Sequence, residues 1–370
     1  MNNCEYLSFS GDEFRGFVSF AKMMSSKSKS NSSKTTSLHV ENNSLVCRYM
    51  NDSFSMVEFS VPLEHTDNVI NDAISVSIQD LFTLIKSSAA LDKFVIRKSF
   101  NQFEFNIVGG GWIPFRTSTC DLTKYNISDD RNNIGNINSS KLKSAINSVA
   151  NYTQEYTYAR DKYIRFNKNQ MTATSRLSGV VISDEFVDMV LHRDDAILLK
   201  TLLKGDYTLD VFKVNDNNAK KIMFVGPKFK FVTIDSCVDH GEITYNKNIS
   251  NYITVDCNEL YKLVSFSEEY SASKHVVGMS IKNSALNVSV KNVLASNHNS
   301  VINSTIIGDV KDTSKEYEIP SKNLLKALKL FQDKRVSSVN IYLSDESIDS
   351  HNSIIVFNNA TQAIINILSR

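Results

Sequence analysis

Apolar and polar residues alternate along the chain with two different periods. Six segments carry apolar residues at the helical spacing of three and four positions, and runs with every second residue apolar lie between them. The helical segments that open each third of the chain are 9–18, 137–146 and 255–264. Those that follow later in each third are 78–86, 193–200 and 321–328. The pattern predicts two amphipathic helices in each third.

The alternating runs predict strands before and after each second helix. After the first helices the clearest runs are 44–49, 163–166 and 286–290. After the second helices they are 94–97, 222–225 and 339–343. Counting the weaker runs, we expect about eight strands in each third. The fold class is therefore α+β, with helices packed on antiparallel sheets.

The three thirds have the same order of elements, which predicts an internal repeat. Phe14, Leu142 and Leu260 anchor the first helices and lie about a third of the chain apart. Ser10, Ser139 and Asp256 are the predicted N-caps of these helices. The predicted domains are 1–125, 126–249 and 250–370. Three unrelated α+β modules are the alternative.

Charge is segregated on the predicted helices. In the segment 321–331, Lys322, Lys326 and Lys329 form one stripe. The opposite face carries Leu324, Ala327, Leu328 and Phe331. Such a helix buries its apolar side on a sheet and exposes a row of ammonium groups. On a single helix these are ordinary solvated lysines, but the recurrence on several helices favours a shared cationic surface.

This surface is predicted to contact nucleic-acid phosphates without reading the base sequence, because lysines without a base-reading motif suit phosphate contact. The helix residues assigned to it are Lys22, Lys86, Lys141, Lys143, Lys200, Lys204, Lys262, Lys322, Lys326 and Lys329. The loops after the first helices of the first two thirds add Lys27, Lys29, Gln154 and Arg160. The replacement of lysines by acids is therefore expected to weaken DNA binding.

Composition sets limits on this interpretation. The 370 residues carry 41 basic and 40 acidic side chains, so the net charge of +1 gives no overall attraction to DNA. Cys4, Cys47, Cys120, Cys237 and Cys257 are scattered, which predicts reduced thiols in a cytoplasmic protein. No apolar run is long enough for a membrane helix, and the first residues lack a secretory signal.

No motif indicates catalysis or a cofactor. The chain lacks a Walker loop, GxGxxG, HExxH and GxSxG, and its seven histidines show no metal-ligand spacing. Gly109, Gly110 and Gly111 lie between strand-like runs, which favours a tight hairpin over a phosphate-binding loop. We therefore expect a binding protein with no catalytic residue, no metal and no cofactor.

With its repeat, its basic helices and no catalytic group, the chain resembles the bacterial β sliding clamps, the DNA polymerase III β subunit family. The family carries Ala-Thr-Asp-Gly-His-Arg-Leu in its second unit, and the segment 172–177 reads Thr-Ala-Thr-Ser-Arg-Leu here. The family's third unit has a phenylalanine-asparagine strand end that leads into its second helix, and the corresponding segment 319–325 reads Ile-Pro-Ser-Lys-Asn-Leu-Leu here. Family chains end in Met-Pro-Met/Val-Arg-Leu, whereas this one ends in Asn-Ile-Leu-Ser-Arg. The resemblance is that of a divergent member.

The resemblance implies a head-to-tail ring of six units, hence a homodimer that encircles double-stranded DNA. It also implies docking of a replicative polymerase and a clamp loader through short peptides. The implied peptide groove comprises Thr172, Thr174, Arg176, Leu177, Pro320, Asn323, Ile354, Val356, Ile367 and Leu368. The implied dimer interface joins Ile113 and Phe115 of one subunit to Phe266 and Tyr270 of the other.

Two other functions remain open on the sequence. One is a nucleic-acid-processing hydrolase whose site has no recognisable motif; a bound metal or metal-dependent activity would favour it. The other is a clamp-like scaffold that binds proteins but not DNA. Retention on circular and linear DNA distinguishes the scaffold from a clamp.

Overall fold

The computed structural model describes most of the chain. The described residues are 5–26, 28–30, 34–64, 70–88, 91–99, 102–106, 110–153, 162–175, 178–216, 219–236, 249–270, 275–283, 285–290, 298–313, 316–343, 353–358 and 360–366. By internal contacts the chain divides into two compact units. The first combines Met1–Lys143 with Asp194–Ser236, and the second combines Ser144–Arg193 with Cys237–Arg370. The division runs through the predicted second domain, and the three domain boundaries stay a prediction.

Six α-helices and twenty-six strands lie in the described ranges, in three successive sets. The first set is β1 (Glu5–Ser10), α1 (Gly11–Ser25), β2 (Thr35–Glu41), β3 (Ser44–Met50), β4 (Met56–Pro62), β5 (Ile74–Ser77), α2 (Ile78–Ser87), β6 (Lys93–Ser99), β7 (Gln102–Asn106), β8 (Trp112–Phe115) and β9 (Thr117–Thr119). The second is β10 (Arg131–Asn138), α3 (Ser139–Val149), β11 (Tyr163–Asn167), β12 (Gln170–Ser175), β13 (Ser178–Ser183), β14 (Met189–His192), α4 (Arg193–Leu202), β15 (Thr208–Asp216), β16 (Ala219–Val225) and β17 (Phe229–Ile234).

The third set is β18 (Tyr252–Asp256), α5 (Cys257–Tyr270), β19 (Val276–Lys282), β20 (Ala285–Val290), β21 (His298–Ile302), β22 (Ser304–Ile307), β23 (Tyr317–Pro320), α6 (Ser321–Asp333), β24 (Ser338–Leu343), β25 (Ser353–Asn358) and β26 (Thr361–Asn366). All six predicted helices are present at the predicted places. The predicted α+β class is confirmed, and so is the number of about eight strands in each third.

The repeat extends to individual hydrogen bonds. The backbone N–H that opens α1 donates to the carbonyl of Asp92, directly before β6, at 2.8 Å. The N–H groups of Ser139 and Cys257 open α3 and α5 in the same way, and donate to Tyr207 at 2.8 Å and to Ser337 at 2.9 Å. Those two carbonyls directly precede β15 and β24. Three identical connections favour a true repeat over three unrelated modules.

Each unit contains one large antiparallel sheet that joins two repeats. In the first unit the nine-stranded order is β10-β15-β16-β17-β4-β3-β2-β5-β9, and β17 pairs with β4. In the second unit the order is β14-β11-β12-β13-β26-β25-β24-β18-β22, and β26 pairs with β13. We call the β17–β4 contact the first junction and the β26–β13 contact the second junction. In both junctions, the last strand of one repeat pairs with the fourth strand of the repeat before it.

Two four-stranded sheets complete the units. Their orders are β1-β6-β7-β8 in the first unit and β21-β20-β19-β23 in the second, so β8 and β21 are edge strands. β7 and β8 pair in antiparallel fashion with Asn106 opposite Trp112, and Gly110 between them has a φ of 82°. Gly109 of the predicted hairpin lies outside the described residues. Glycine adopts this left-handed backbone without steric cost.

The helix caps differ from the sequence prediction at two of three places. Asp256 is an N-cap, because its Oδ1 accepts from the N–H of Glu259 at 2.8 Å. Ser10 stands at the predicted N-cap position of α1, but its side chain makes no cap hydrogen bond. At α3 the cap is Asn138, whose Oδ1 accepts from the N–H of Lys141 at 2.9 Å. Ser139 instead bonds the carbonyl of Gly205 and the N–H of Tyr207, which ties the helix to β15.

The described helices bury their apolar faces as the sequence predicts. Phe14, Leu142 and Leu260, the anchors of α1, α3 and α5, are fully buried. Among the described residues, no helix has the length and hydropathy needed to cross a bilayer.

Candidate nucleic-acid interface and partner surfaces

α6 presents lysines on one side and buries the other. The side chain of Lys322 is 73% exposed, Lys329 is exposed and Lys326 is half-buried. The buried side carries Leu324, Ala327, Leu328 and Phe331. Because the lysines are four and three residues apart, their ammonium groups line one face of the helix. The predicted segregation of charge on this helix is confirmed.

Two helix pairs have the same antiparallel arrangement, one in each unit. Near the end of α1, Nζ of Lys22 donates to Oε1 of Gln79 in the first turn of α2 at 2.5 Å. Near the end of α5, Oε1 of Glu268 lies 3.6 Å from Nζ of Lys322 in the first turn of α6. Lys22 and Glu268 each stand eleven residues after the first residue of their helix, so the contacts are equivalent.

The other lysines assigned to DNA differ in exposure. Exposed are Lys29, Lys86, Lys143, Lys204 and Lys262, and half-buried are Lys22, Lys141 and Lys200. Lys204 lies beyond the end of α4 at Leu202, so it is a loop residue and not a helix residue. The loop of Lys29 is held by its backbone N–H, which donates to Asp52 at 2.6 Å. Lys27, Gln154 and Arg160 lie outside the described residues.

A buried ion cluster holds the first junction. Glu58 on β4 is only 4% exposed, and its carboxylate accepts from Arg48 on β3 at 2.6 Å and from Lys230 on β17 at 2.7 Å. Burial opposes ionisation of Glu58. The hydrogen bonds from Lys230 and Arg48 outweigh it, so the pKa of Glu58 lies below its ordinary value. The Lys230–Glu58 pair therefore links the two repeats with an ionised carboxylate.

A second polar contact closes the same junction at the start of α4. Asp195 is the third residue of that helix and accepts from the hydroxyls of Ser55 at 2.9 Å and Thr233 at 2.7 Å. Both hydroxyl-bearing residues are fully buried. Among the described residues, both side-chain partners of this carboxylate thus come from the junction itself.

The connection between the first two repeats packs against one side of the first junction. Tyr125 is buried against Met56, Val214, Met223 and Val232. Further apolar residues of this connection that pack there are Cys120, Leu122 and Ile127. Burial raises the pKa of the Tyr125 hydroxyl, in keeping with a packing role. This side of the first junction is therefore covered by the chain's own residues.

The second junction differs at the equivalent positions. Asn323 is the third residue of α6, as Asp195 is of α4. Where β17 carries Thr233, β26 carries Ile365, which has no hydroxyl to offer. Asn323 is 8% exposed, and its Nδ2 has no hydrogen-bond partner among the described residues. A buried unpaired amide donor is costly, so a ligand that accepts from it would gain binding energy here.

The other residues of the predicted peptide groove divide into three groups. Thr172, Thr174 and Pro320 are half-buried. Ile354 and Val356 have no exposed surface and lie in the core behind the junction. Arg176, Leu177, Ile367 and Leu368 lie outside the described residues.

The predicted dimer residues lie at a sheet edge and on a helix. Ile113 and Phe115 belong to the edge strand β8; Ile113 is half-buried, and Phe115 is buried with its ring centroid 6.3 Å from that of Phe103. Phe266 on α5 is 41% exposed, which is unusual for a phenylalanine. The side chain of Tyr270 lies outside the described part of the structure.

The equivalent of Phe266 at the first junction is packed. Phe20 occupies the same place in α1, nine residues after the helix start, and its ring centroid lies 6.3 Å from that of Phe231 on β17. Phe231 holds the same position in the β16–β17 pairing that Ile113 on β8 holds in the β7–β8 pairing. Phe20 and Phe231 thus hold, within the first unit, the positions that correspond to Phe266 on α5 and Ile113 on β8.

Within the described ranges, no three His, Cys, Asp or Glu side chains are grouped so as to hold a metal ion.

No protein-family model and no curated protein matches the chain. Solved structures match it over its full length. A sliding clamp (DNA polymerase III subunit beta) from Pseudomonas aeruginosa, bound to griselimycin, has a TM-score of 0.78 at 15% identity, with 99% of both chains covered. The Bacillus subtilis DNA polymerase sliding clamp has a TM-score of 0.78 at 12% identity, again with 99% of both chains covered.

A third match is DNA polymerase III subunit beta from Borrelia burgdorferi in complex with a natural product. Its TM-score is 0.75 at 12% identity, with 99% of this chain and 98% of that chain covered. The chain therefore has the sliding-clamp fold from end to end.

Proposed function

We propose that this chain is a DNA sliding clamp, a processivity factor that tethers a replicative polymerase to duplex DNA and catalyses no reaction itself. The observation that carries the proposal is the clamp fold over 99% of the chain, in which a helix exposes a row of lysines. Lysine is a flexible point charge, and its contacts to phosphate are weak and independent of sequence. Such contacts let a ring slide while it stays on the DNA. Retention on circular but not linear DNA tests this proposal.

The mechanism is one of effective concentration. A polymerase bound to a ring that encircles DNA rebinds its template in an intramolecular step, so it stays near the primer end between dissociation events. We assign the DNA-facing role to the lysines that point away from the apolar helix faces. We place the protein in the cytoplasm with the DNA, with three clamp domains at 1–125, 126–249 and 250–370.

Ring closure follows from the pattern of the two internal junctions. β17 and β26 hold the position in their repeats that β8 holds in the first, and they pair with β4 and β13, which correspond to β21 in the third. Of these six strands, β8 and β21 lie at sheet edges. Pairing β8 of one subunit with β21 of another would repeat the internal contact twice and close the assembly. Phe266 would then pack on Ile113 of the neighbouring subunit, as Phe20 packs on Phe231. The proposed assembly is a head-to-tail homodimer.

The second junction is the proposed docking groove for peptides of the polymerase and the clamp loader. Its support is the contrast between Asp195, whose partners come from the chain, and Asn323, whose amide donor is unpaired among the described residues. A peptide that inserts apolar anchors and places a carbonyl at Asn323 would satisfy this donor.

We expect the replacement Asn323→Ala to weaken the binding of a fluorescent peptide from the cognate polymerase tail by about tenfold, because it removes a buried hydrogen-bond donor. Titration by fluorescence anisotropy measures this. A second variant that lacks residues 367–370 should also bind more weakly. Lys311→Ala, at an exposed position of the same unit, is the control and should bind as the wild type does. Wild-type affinity in both test variants would place the peptide site elsewhere.

A further inference from the structure

A separate cleft lies wholly within the first unit. Its volume is about 810 Å³, within the range of small-molecule sites in proteins. One wall is α1, and the others are the end of α4 with the loop that follows it, the β16–β17 turn and β4. The apolar lining includes Phe20, Met23, Phe59 and Phe229. This cleft shares no lining residue with the proposed peptide groove.

Gly16 keeps one wall of the cleft open. A glycine inside a helix is destabilising relative to alanine, so its presence calls for a reason. Packing does not supply one, because a Cβ at this position would meet only Cε1 of Phe59, at an ordinary contact distance of 4.0 Å. The backbone does not supply one either, since Gly16 has a normal helical conformation. What the missing side chain provides is free volume above the Phe59 ring.

The charges at the cleft leave one cation available. Arg15 is held by the carboxylate of Asp12 at 3.3 Å and by the carbonyl of Leu91 at 2.8 Å. Lys228 is paired with Glu13 at 2.6 Å. Lys204 is exposed and has no ion-pair partner among the described residues. An apolar cleft with one uncompensated ammonium group at its rim complements an apolar ligand that carries a single negative charge.

We propose that this cleft binds a small amphipathic molecule with an aromatic body and one anionic group. The aromatic body lies over Phe59 and Phe229, whose ring centroids are 6.2 Å apart, in the space that Gly16 leaves open. The anionic group meets Lys204. The lining forms within one chain and needs neither DNA nor a second subunit, although Lys204 is shared with the lysines assigned to DNA.

The test uses anilinonaphthalene sulfonate, an aromatic anion whose fluorescence rises in apolar surroundings. Titration into the full-length protein should give a saturable signal with one site per chain. The variant Gly16→Leu places a side chain beside Phe59, where the aromatic body is proposed to lie, and should weaken binding by about tenfold or more. The variant Lys204→Glu should weaken it by about threefold to tenfold, because an exposed charge contributes less than lost volume.

Two matched variants control for unspecific effects. Thr83→Leu adds a leucine on the exposed side of α2, and Lys220→Glu reverses an exposed charge on β16; neither lines the cleft. Both should bind the probe as the wild type does. The melting temperature of Gly16→Leu should not fall, because leucine favours the helix more than glycine. Wild-type affinity in Gly16→Leu, or an equal loss in Thr83→Leu, would overturn the proposal.

Discussion

At the scale of single residues, Glu58 is the most consequential polar group of the first junction. It is buried between two cations, and one of them, Lys230, belongs to the next repeat. Removal of one member of a buried ion cluster leaves the others uncompensated, which typically costs about 3 kcal/mol or more. We expect Glu58→Gln to lower the free energy of unfolding at neutral pH by about 3 kcal/mol. Urea unfolding followed by circular dichroism measures the change.

The pH dependence of this effect has a definite sign. The pKa of Glu58 is lowered in the folded protein, so its contribution is fully present above the unfolded-state pKa and is lost as pH falls through the folded value. The difference between wild type and variant should therefore shrink below about pH 4. The control is Glu41→Gln, because the Glu41 carboxylate is 52% exposed and lies 3.5 Å from Arg48. This replacement should change the free energy of unfolding by less than about 1 kcal/mol. Equal effects of both variants would contradict the account.

The polar contacts of the junctions could not be predicted from the sequence. Glu58 interrupts an apolar strand, which is a signal of a buried pair, but nothing local identifies Lys230 as its partner. By sequence, Asp195 is an acid in the first turn of a helix, where the helix dipole favours negative charge. Its partners in the structure, Ser55 and Thr233, lie on other segments of the chain. Ser139 fits a cap by sequence, yet Asn138 caps the helix, and the hydroxyl of Ser139 bonds Gly205 and Tyr207 in the segment directly before β15.

At the scale of elements, the helices were predictable because each has a wide apolar stripe and a polar remainder. The number of strands was predictable, but their pairing was not, because period-two alternation does not determine which strands become neighbours in a sheet. The pairing of β17 with β4 and of β26 with β13 is set by tertiary packing. The lysine row of α6 follows from spacing alone, whereas the Asn323 amide, without a hydrogen-bond partner among the described residues, depends on which strands the fold brings to it.

The lysine row predicts the behaviour of a charge-reversal variant. Replacement of Lys322, Lys326 and Lys329 by glutamate should weaken binding to duplex DNA at low salt by about a hundredfold, because three phosphate contacts are lost. The apolar face of α6 is unchanged, so the melting temperature should stay near that of the wild type. Fluorescence anisotropy with two duplexes of different sequence measures the affinity.

A variant with the same change in net charge separates local from global effects. Lys220, Lys282 and Lys311 are exposed lysines outside the six helices, and their replacement by glutamate is the control. We expect it to retain most of the DNA affinity. If both triple variants lost affinity equally, net charge would explain the result and the assignment of α6 to the DNA would be wrong.

At the scale of the whole molecule, the proposed ring depends on contacts between subunits. Light scattering should give about twice the 41.6 kDa chain mass. Phe266→Glu places a charge where the neighbouring subunit's apolar edge is proposed to pack, so it should shift the mass toward that of a single chain. Phe54→Glu, at a phenylalanine that is 60% exposed in the first unit, is the matched control and should stay dimeric. A single-chain mass for the wild type at tens of micromolar would contradict the proposed homodimer.

Retention on DNA of defined topology tests the sliding clamp most directly. The protein is diluted until its dimer dissociates, concentrated again with nicked circular plasmid, and passed over a sizing column in about 0.5 M salt, which suppresses phosphate contacts. A closed ring predicts that the protein co-elutes with the circle and is released when a restriction enzyme linearises the plasmid. Loss from the circle as fast as from the linear form, or retention after linearisation, would contradict it.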